Sequence, residues 1–217
     1  MSGFGDPGAL RRALRLYLVV GGLDEAALLA LVGAALRGGV GCVQLREKQL
    51  GTRAFIARAR ALRALLHAAG VPLIINDRLD VALAAGADGV HVGQDDIDVA
   101  DVRRHMSRAI VGLSVGSLAE LDAGLAAHVD YLSPSPLFAT RSKPDAGAPL
   151  GLHGLRAMRA RCALPLVAIG GIERGNAAAV FAAGADGIAV VSAIGAAPDP
   201  QAAAAELAGI AALSSAP

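Results

Sequence analysis

Lysine is scarce in this chain. Two lysines, Lys48 and Lys143, stand against eighteen arginines. A lysine ammonium is a compact point charge and an arginine guanidinium a planar fork, so a sequence that writes arginine nearly everywhere but keeps lysine twice points to sites that hold phosphate oxygens. Lys48 closes the run Val43-Gln44-Leu45-Arg46-Glu47-Lys48. Lys143 lies in Thr140-Arg141-Ser142-Lys143, where hydroxyls alternate with cations as an anion cradle would require.

Carboxylates supply the complementary chemistry. Asp77 follows Ile74-Ile75-Asn76, and Asp95 and Asp96 follow His91-Val92-Gly93-Gln94. Carboxylates from adjacent strand ends can share a hard cation, and Mg²⁺ is typically held by one or two of them together with substrate phosphate and water. Asp77 with either Asp95 or Asp96 is the candidate pair. The competing role for each is to cap the helix that follows, which aspartate does well. His91 lies on the interior parity of its strand and reads as a hydrogen-bonded core histidine.

The elements that must position these groups are legible as an alternation. Short apolar runs recur at Leu16 to Val20, Val40 to Leu45, Pro72 to Asn76, Gly89 to Val92, Ala109 to Ser114, Val129 to Ser133, Leu166 to Ile169 and Gly187 to Val191. Between them lie Ala/Leu/Arg-rich stretches of helical period such as Glu25 to Arg37, Thr52 to Ala69 and Val99 to Arg108, and Gln201 to Ala205 reads as the last helix. Strands apolar along their whole length belong to a parallel sheet covered by helices. Eight strand-helix units in this length predict a single α/β domain over residues 1–217, a (β/α)₈ TIM barrel rather than an open doubly wound sheet. Ala84-Ala85-Gly86-Ala87-Asp88-Gly89-Val90 reappears as Ala182-Ala183-Gly184-Ala185-Asp186-Gly187-Ile188, four units later, as half a barrel would. Residues 1–14 read as a loosely ordered segment ahead of it.

In such a barrel the chemistry sits at the C-terminal ends of the strands. Val43 and Leu45 take the helix-facing parity of strand two, which leaves Gln44, Arg46 and Lys48 at the mouth. The connection from Ser133 to Gly151 far exceeds the usual ~4–6 residues and reads as a binding loop. Glycines at Ile169-Gly170-Gly171-Ile172, with Val191-Ser192 after strand eight, form a second anion site where barrels commonly hold phosphate. Two anion sites plus a carboxylate pair imply two phosphorylated substrates, or one whose diphosphate rides on Mg²⁺. The sequence has no Ser-His-Asp elbow and no dinucleotide-binding glycine fingerprint, which excludes acyl hydrolysis and hydride transfer.

Composition narrows the partners. The chain is 54% hydrophobic and 18% charged with 27 glycines and a formal charge of +1, which excludes a disordered chain and any electrostatic footprint for nucleic acid or an anionic membrane. No run is long enough to span a bilayer, no signal cleavage site follows the apolar run near Leu16, and Cys42 and Cys162 read as inert thiols. A cytoplasmic protein acting on small phosphorylated molecules is expected, and a homo-oligomer is compatible with this.

Val43 to Lys48, Ile75-Asn76-Asp77, Gly89 to Asp96, Thr140 to Lys143 and Ala168 to Ile172 together, in order, resemble the thiamine phosphate synthase family. The resemblance implies a barrel that joins 4-amino-2-methyl-5-hydroxymethylpyrimidine diphosphate to 4-methyl-5-(2-phosphoethyl)thiazole, giving thiamine phosphate and diphosphate, with Mg²⁺ as cofactor. By motif position it implies that Gln44, Leu45, Arg46, Glu47, Lys48, Asn76, Ser114 and Lys143 hold the pyrimidine diphosphate. Of these, Arg46, Lys48, Ser114 and Lys143 would be catalytic. Thr140, Arg141, Ser142, Gly171, Val191 and Ser192 would hold the thiazole phosphate, and Asp77 and Asp96 the metal. Ser133-Pro134-Ser135-Pro136 stands where the family pattern leads one to expect glycines. A thiazole tautomerase-like isomerase and a silent barrel that binds thiamine precursors are the alternatives; neither would release diphosphate.

Overall fold

The computed structural model describes residues 6–122, 128–140 and 147–214. Its elements are α1 (Pro7–Leu14), β1 (Leu16–Val20), α2 (Glu25–Arg37), β2 (Cys42–Leu45), α3 (Thr52–Ala68), β3 (Leu73–Asn76), α4 (Leu79–Ala85), β4 (Gly89–Val92) and α5 (Val99–His105). They continue with β5 (Ile110–Val115), α6 (Leu118–Asp122), β6 (Tyr131–Pro134), α7 (Gly151–Arg161), β7 (Val167–Ile169), α8 (Ala177–Ala182), β8 (Gly187–Val190), α9 (Ser192–Gly195) and α10 (Pro200–Leu213). All strand pairings are parallel, in the order β6-β5-β4-β3-β2-β1-β8-β7. A bridge between Leu132 and Leu166 joins the two ends and closes the expected (β/α)₈ barrel.

Alternation along the strands sorts their side chains into two layers. Leu16, Leu18 and Val20 of β1, Val43 and Leu45 of β2, and Leu73 and Ile75 of β3 face outward into the helix layer. Tyr17, Val19, Cys42, Ile74, Ile110, Tyr131, Val167 and Ala189 fill the interior. The strands are therefore apolar on both faces, which is why they read as continuous apolar runs.

The bottom of the barrel is closed by α1, which corrects the expectation of a loosely ordered segment for Pro7–Leu14, while residues 1–5 lie outside the described residues. Asp6 caps it by accepting from the backbone N–H groups of Gly8 (3.0 Å) and Ala9 (3.1 Å). Leu10 and Leu14 then enter the interior cluster with Tyr17 and Ile74. The close fit dictates glycine at two strand starts. A Cβ on Gly187 would lie 2.0 Å from the Leu14 carbonyl oxygen, and one on Gly41 would lie 2.6 Å from that of Ala13. Leu14→Ala is expected to destabilise the protein by about 2–5 kcal/mol, measured by urea denaturation, because the fully buried side chain leaves a cavity that α1 cannot fill.

The sequence repeat has a structural explanation at this end. Asp88, just before β4, accepts from Leu73 N–H (2.9 Å), and Asp186, just before β8, accepts from Leu166 N–H (2.8 Å). Asp130 does the same for Val111 N–H (2.8 Å) ahead of β6. Each carboxylate satisfies a backbone donor where the preceding odd strand starts, and Arg103 pairs with Asp130 while Arg159 and Arg11 pair with Asp186. The repeated aspartates hold the barrel together and are remote from the mouth.

Candidate active site

A cavity of about 1120 Å³ opens at the C-terminal ends of the strands. Gln44, Arg46, Glu47, Lys48, Asn76, Asp77, Asp96, Ser114, Thr140, Gly171, Val191 and Ser192 all line it, so residues far apart in the sequence meet at one mouth. Leu45 does not: its parity turns it outward into the fully buried helix layer, so a substrate contact from its side chain is corrected to a packing role. Arg141, Ser142 and Lys143 lie outside the described residues.

On β2 the charges are sorted by their partners. Glu47 is almost fully buried, 2.7 Å from the Arg58 guanidinium of α3, and it also accepts from Gly22 N–H (3.2 Å) in the loop after β1. This ties down the rim and leaves Arg46 without an ion pair among the described residues. Lys48 turns instead to Asp77, with Nζ 2.6 Å from Oδ2. An unpaired guanidinium beside a cation that shares a carboxylate is arranged to receive an anion. The Asn76 amide, at the end of β3, likewise makes no hydrogen bond among the described residues and lines the same cavity.

Asp77 is held in a costly conformation. It is the one described non-glycine residue with positive φ, at 61°, while its N–H bonds to the His91 carbonyl (2.8 Å). Strain of this kind concentrates where a fold fixes a functional group. Burial raises the Asp77 carboxyl above its ordinary range, Lys48 lowers it, and the neighbouring Asp96 carboxyl raises it. Asp96 is fixed in turn by Gly93 N–H, 2.8 Å from Oδ2. Two carboxylates crowded together favour a proton or cation between them, and the pair fits Mg²⁺, which keeps water and substrate oxygens for most of its shell. Asp98, not Asp95 or Asp96, caps α5, by accepting from Ala100 N–H (2.7 Å), so helix capping explains neither of the two carboxylates.

Across the mouth, the loop after β6 packs onto the turn after β7. Leu137 N–H donates to Ile169 O (2.7 Å) and Phe138 N–H to Gly170 O (3.0 Å). Gly170 and Gly171 have φ of 106° and 63°, and a Cβ on Gly171 would lie 2.6 Å from the Ala139 carbonyl oxygen. Glycine is therefore demanded by this approach as well as by the backbone conformation. Ser133 anchors the start of the segment through a bond from Oγ to Val167 O (2.8 Å), and Ser135 N–H donates to Val115 O (3.0 Å). The Ser-Pro-Ser-Pro run is an extended wall between β5 and β7.

Beneath the pocket lie two residues that the sequence reading left aside. Tyr17 and Tyr131, the only tyrosines of the chain, meet inside the barrel with their hydroxyls 3.0 Å apart. The available signal was their interior parity, since a buried tyrosine hydroxyl seeks a partner. Burial raises both phenols well above their ordinary value, and so keeps them protonated. His91 is the hydrogen-bonded histidine expected, with Tyr131 on one ring nitrogen and Ser114 on the other, both at 2.9 Å.

A family model described as thiamine monophosphate synthase matches residues 16–194. The chain is 54% identical over 195 residues to the thiamine-phosphate synthase of Albidiferax ferrireducens, covering 87% of this chain and 88% of that protein. It is 53% identical over 195 residues to that of Chloroflexus aurantiacus, covering 89% and 90%. The solved thiamine phosphate pyrophosphorylase of Pyrococcus furiosus superposes with a TM-score of 0.85 at 34% identity, over 95% of this chain and all of that one. The matched stretch contains every residue described at the mouth, and the chain belongs to the thiamine monophosphate synthase family.

Proposed function

We propose that this protein condenses 4-amino-2-methyl-5-hydroxymethylpyrimidine diphosphate with 4-methyl-5-(2-phosphoethyl)thiazole to form thiamine phosphate and diphosphate, a transferase step of thiamine biosynthesis. The observation that carries this reading is the convergence of Arg46, Lys48, Asp77 and Asp96 on one mouth, opposite the glycine turn after β7. An isomerase of the thiazole phosphate alone would have no use for the first group.

The chemistry follows from the substrates. The bond between the pyrimidine methylene and the diphosphate oxygen breaks, the electron-rich aminopyrimidine stabilises the cation left behind, and the thiazole nitrogen supplies the electron pair for the new C–N bond. No strong base is needed, so catalysis rests on stabilising the leaving diphosphate and holding the two rings in line. Arg46, Lys48 and Lys143 supply positive charge to the leaving group, while Gln44, Asn76 and Ser114 orient the pyrimidine. Thr140, Arg141, Ser142, Gly171, Val191 and Ser192 hold the thiazole phosphate. Asp77 and Asp96 are the residues that would hold Mg²⁺, which when bound offsets negative charge on the diphosphate.

The test is to mix purified protein with both substrates and Mg²⁺. Thiamine phosphate and diphosphate are expected in equal amounts, and only when all three are present. Turnover of the thiazole phosphate without diphosphate release would assign the isomerase instead. Binding of either precursor without turnover would assign the silent barrel.

Lys143→Ala is expected to lower kcat by the equivalent of ~2.7–4 kcal/mol, the value of one charge-assisted contact to a developing anion. Lys143→Arg should recover only part of this, since a planar fork does not reproduce a point charge. Single-turnover rates at saturating substrate check both, and an unchanged Lys143→Ala rate would remove the lysine from the leaving-group site.

A further inference from the structure

A continuous hydrogen-bonded chain crosses the barrel under the pocket, and three of its members have no role in the reaction as derived above. Gln44 Nε2 donates to the Tyr17 hydroxyl (2.9 Å), which is 3.0 Å from the Tyr131 hydroxyl. Tyr131 is 2.9 Å from His91 Nδ1, and His91 Nε2 is 2.9 Å from Ser114 Oγ. The links come from β2, β1, β6, β4 and β5 in turn, and the inner members are nearly or fully buried. Only the two ends, Gln44 and Ser114, are residues assigned to the substrate.

We propose that Tyr17, Tyr131 and His91 are positioning residues that fix the hydrogen-bond polarity of the pocket floor, with an acceptor at the Gln44 amide oxygen and a donor at the Ser114 hydroxyl. The direction is set at one end. An amide nitrogen can only donate, so Tyr17 accepts from Gln44, and its single proton goes on to the Tyr131 oxygen. The Cys42 thiol also lies within reach of Tyr17, but burial keeps it protonated and a thiol sulfur is a weak acceptor, so the Tyr131 oxygen is the better destination for that proton. Tyr131, accepting from Tyr17, donates to His91 Nδ1. The ring proton then sits on Nε2 and is given to Ser114 Oγ, which leaves the serine's own proton to face the pocket. Stacking of the His91 and Tyr131 rings, centroids 5.5 Å apart at 27°, holds the middle link in register.

An aminopyrimidine has an amino group that donates and ring nitrogens that accept, which is the complement of that floor. The inference rests on the substrate reading above and specifies how the ring is recognised. With the chain reversed, the ring proton would sit on Nδ1, Ser114 would donate to His91 and the Gln44 amide oxygen would accept from Tyr17, so the floor would present a donor at Gln44 and an acceptor at Ser114. A heterocycle with donor and acceptor exchanged would then fit better.

Long-range ¹H–¹⁵N correlation spectra of the ligand-free protein, with His91 assigned by loss of its signals in His91→Gln, read the tautomer directly. The expected result is a proton on Nε2 with Nδ1 unprotonated, and a shift toward mixed tautomers in Tyr17→Phe. A proton on Nδ1 in the native protein overturns the proposal. In kinetics, Tyr17→Phe should lower kcat/KM for the pyrimidine diphosphate about tenfold, the worth of one oriented hydrogen bond, and leave KM for the thiazole unchanged. In a Ser114→Ala background the same change should cost less than it does in the native protein, because only its hold on Gln44 is then left to lose; additive losses would mean a merely structural role and sink the idea. The spectrum needs no turnover. A protein that forms no thiamine phosphate would refute the substrate reading and still report the tautomer, while an active protein with the proton on Nδ1 would refute the polarity alone.

Discussion

Gly112→Ala is expected to be among the most damaging single-methyl changes in the barrel. Gly112 sits on β5 in register with His91 of β4 and Tyr131 of β6. The space its side chain would occupy is where those two rings meet. A Cβ there would lie 2.1 Å from Tyr131 Cζ, 2.4 Å from its hydroxyl and 2.5 Å from His91 Nδ1. Neither ring can retreat, because both are buried and hydrogen-bonded at their far sides. Overpacking of a filled core costs about 1–3 kcal/mol, and the upper end or beyond is expected here. Surviving folded protein should also lose about 10²-fold in kcat/KM, since a shift of the order of 1 Å in His91 displaces Ser114. Urea denaturation and steady-state rates check the two parts. Gly209→Ala is the control: nothing lies within 4 Å of its Cβ on α10, and removing a helical glycine should stabilise by about 0.5–1 kcal/mol. Native stability and rate in Gly112→Ala would mean that the floor is softer than its contacts imply.

The fold was legible because a parallel strand buried on both faces leaves an unmistakable apolar run, and the structure has strands at all eight positions where such runs stand. The mouth was legible for a different reason. Gln44, Arg46 and Lys48 are polar residues on the interior parity of an otherwise apolar strand, and only an opening can accommodate them. What escaped depends on contacts distant in sequence. Glu47 stands in sequence between Arg46 and Lys48, but its partner is Arg58 on α3, which no local spacing reveals. α1 leaves no apolar run because its buried residues, Leu10, Ala13 and Leu14, stand among arginines, although Asp6-Pro7 is a regular helix start. Leu45 came in with its motif, against the parity that already turned it outward. Tyr17 and Tyr131 were passed over because each alone is an unremarkable core aromatic, and their meaning lies in their meeting.

Asp77→Asn and Asp96→Asn are each expected to raise the Mg²⁺ concentration for half-maximal rate by at least about 10–100-fold, the scale on which metal sites respond even to changes around their ligands. The two carboxylates interact with one another, and Lys48 Nζ lies 2.6 Å from the first. Removing either charge therefore alters one shared site. The double variant should lose much less than the sum of the two free-energy penalties, because residues that act as a unit are non-additive. Asp96→Asn carries a further cost, since Gly93 N–H keeps an acceptor only if the amide oxygen takes the place of Oδ2. Asp95 lines the same cavity but neither caps α5 nor shares the Asp77 carboxylate, so Asp95→Asn should change the Mg²⁺ requirement little. Initial rates titrated with Mg²⁺ at fixed substrate, for the three single variants and the double, separate these outcomes. An unchanged requirement in Asp77→Asn and Asp96→Asn, or a larger shift in Asp95→Asn, would move the ligands elsewhere on the rim and leave the strained backbone of Asp77 to be explained by its salt bridge with Lys48 alone.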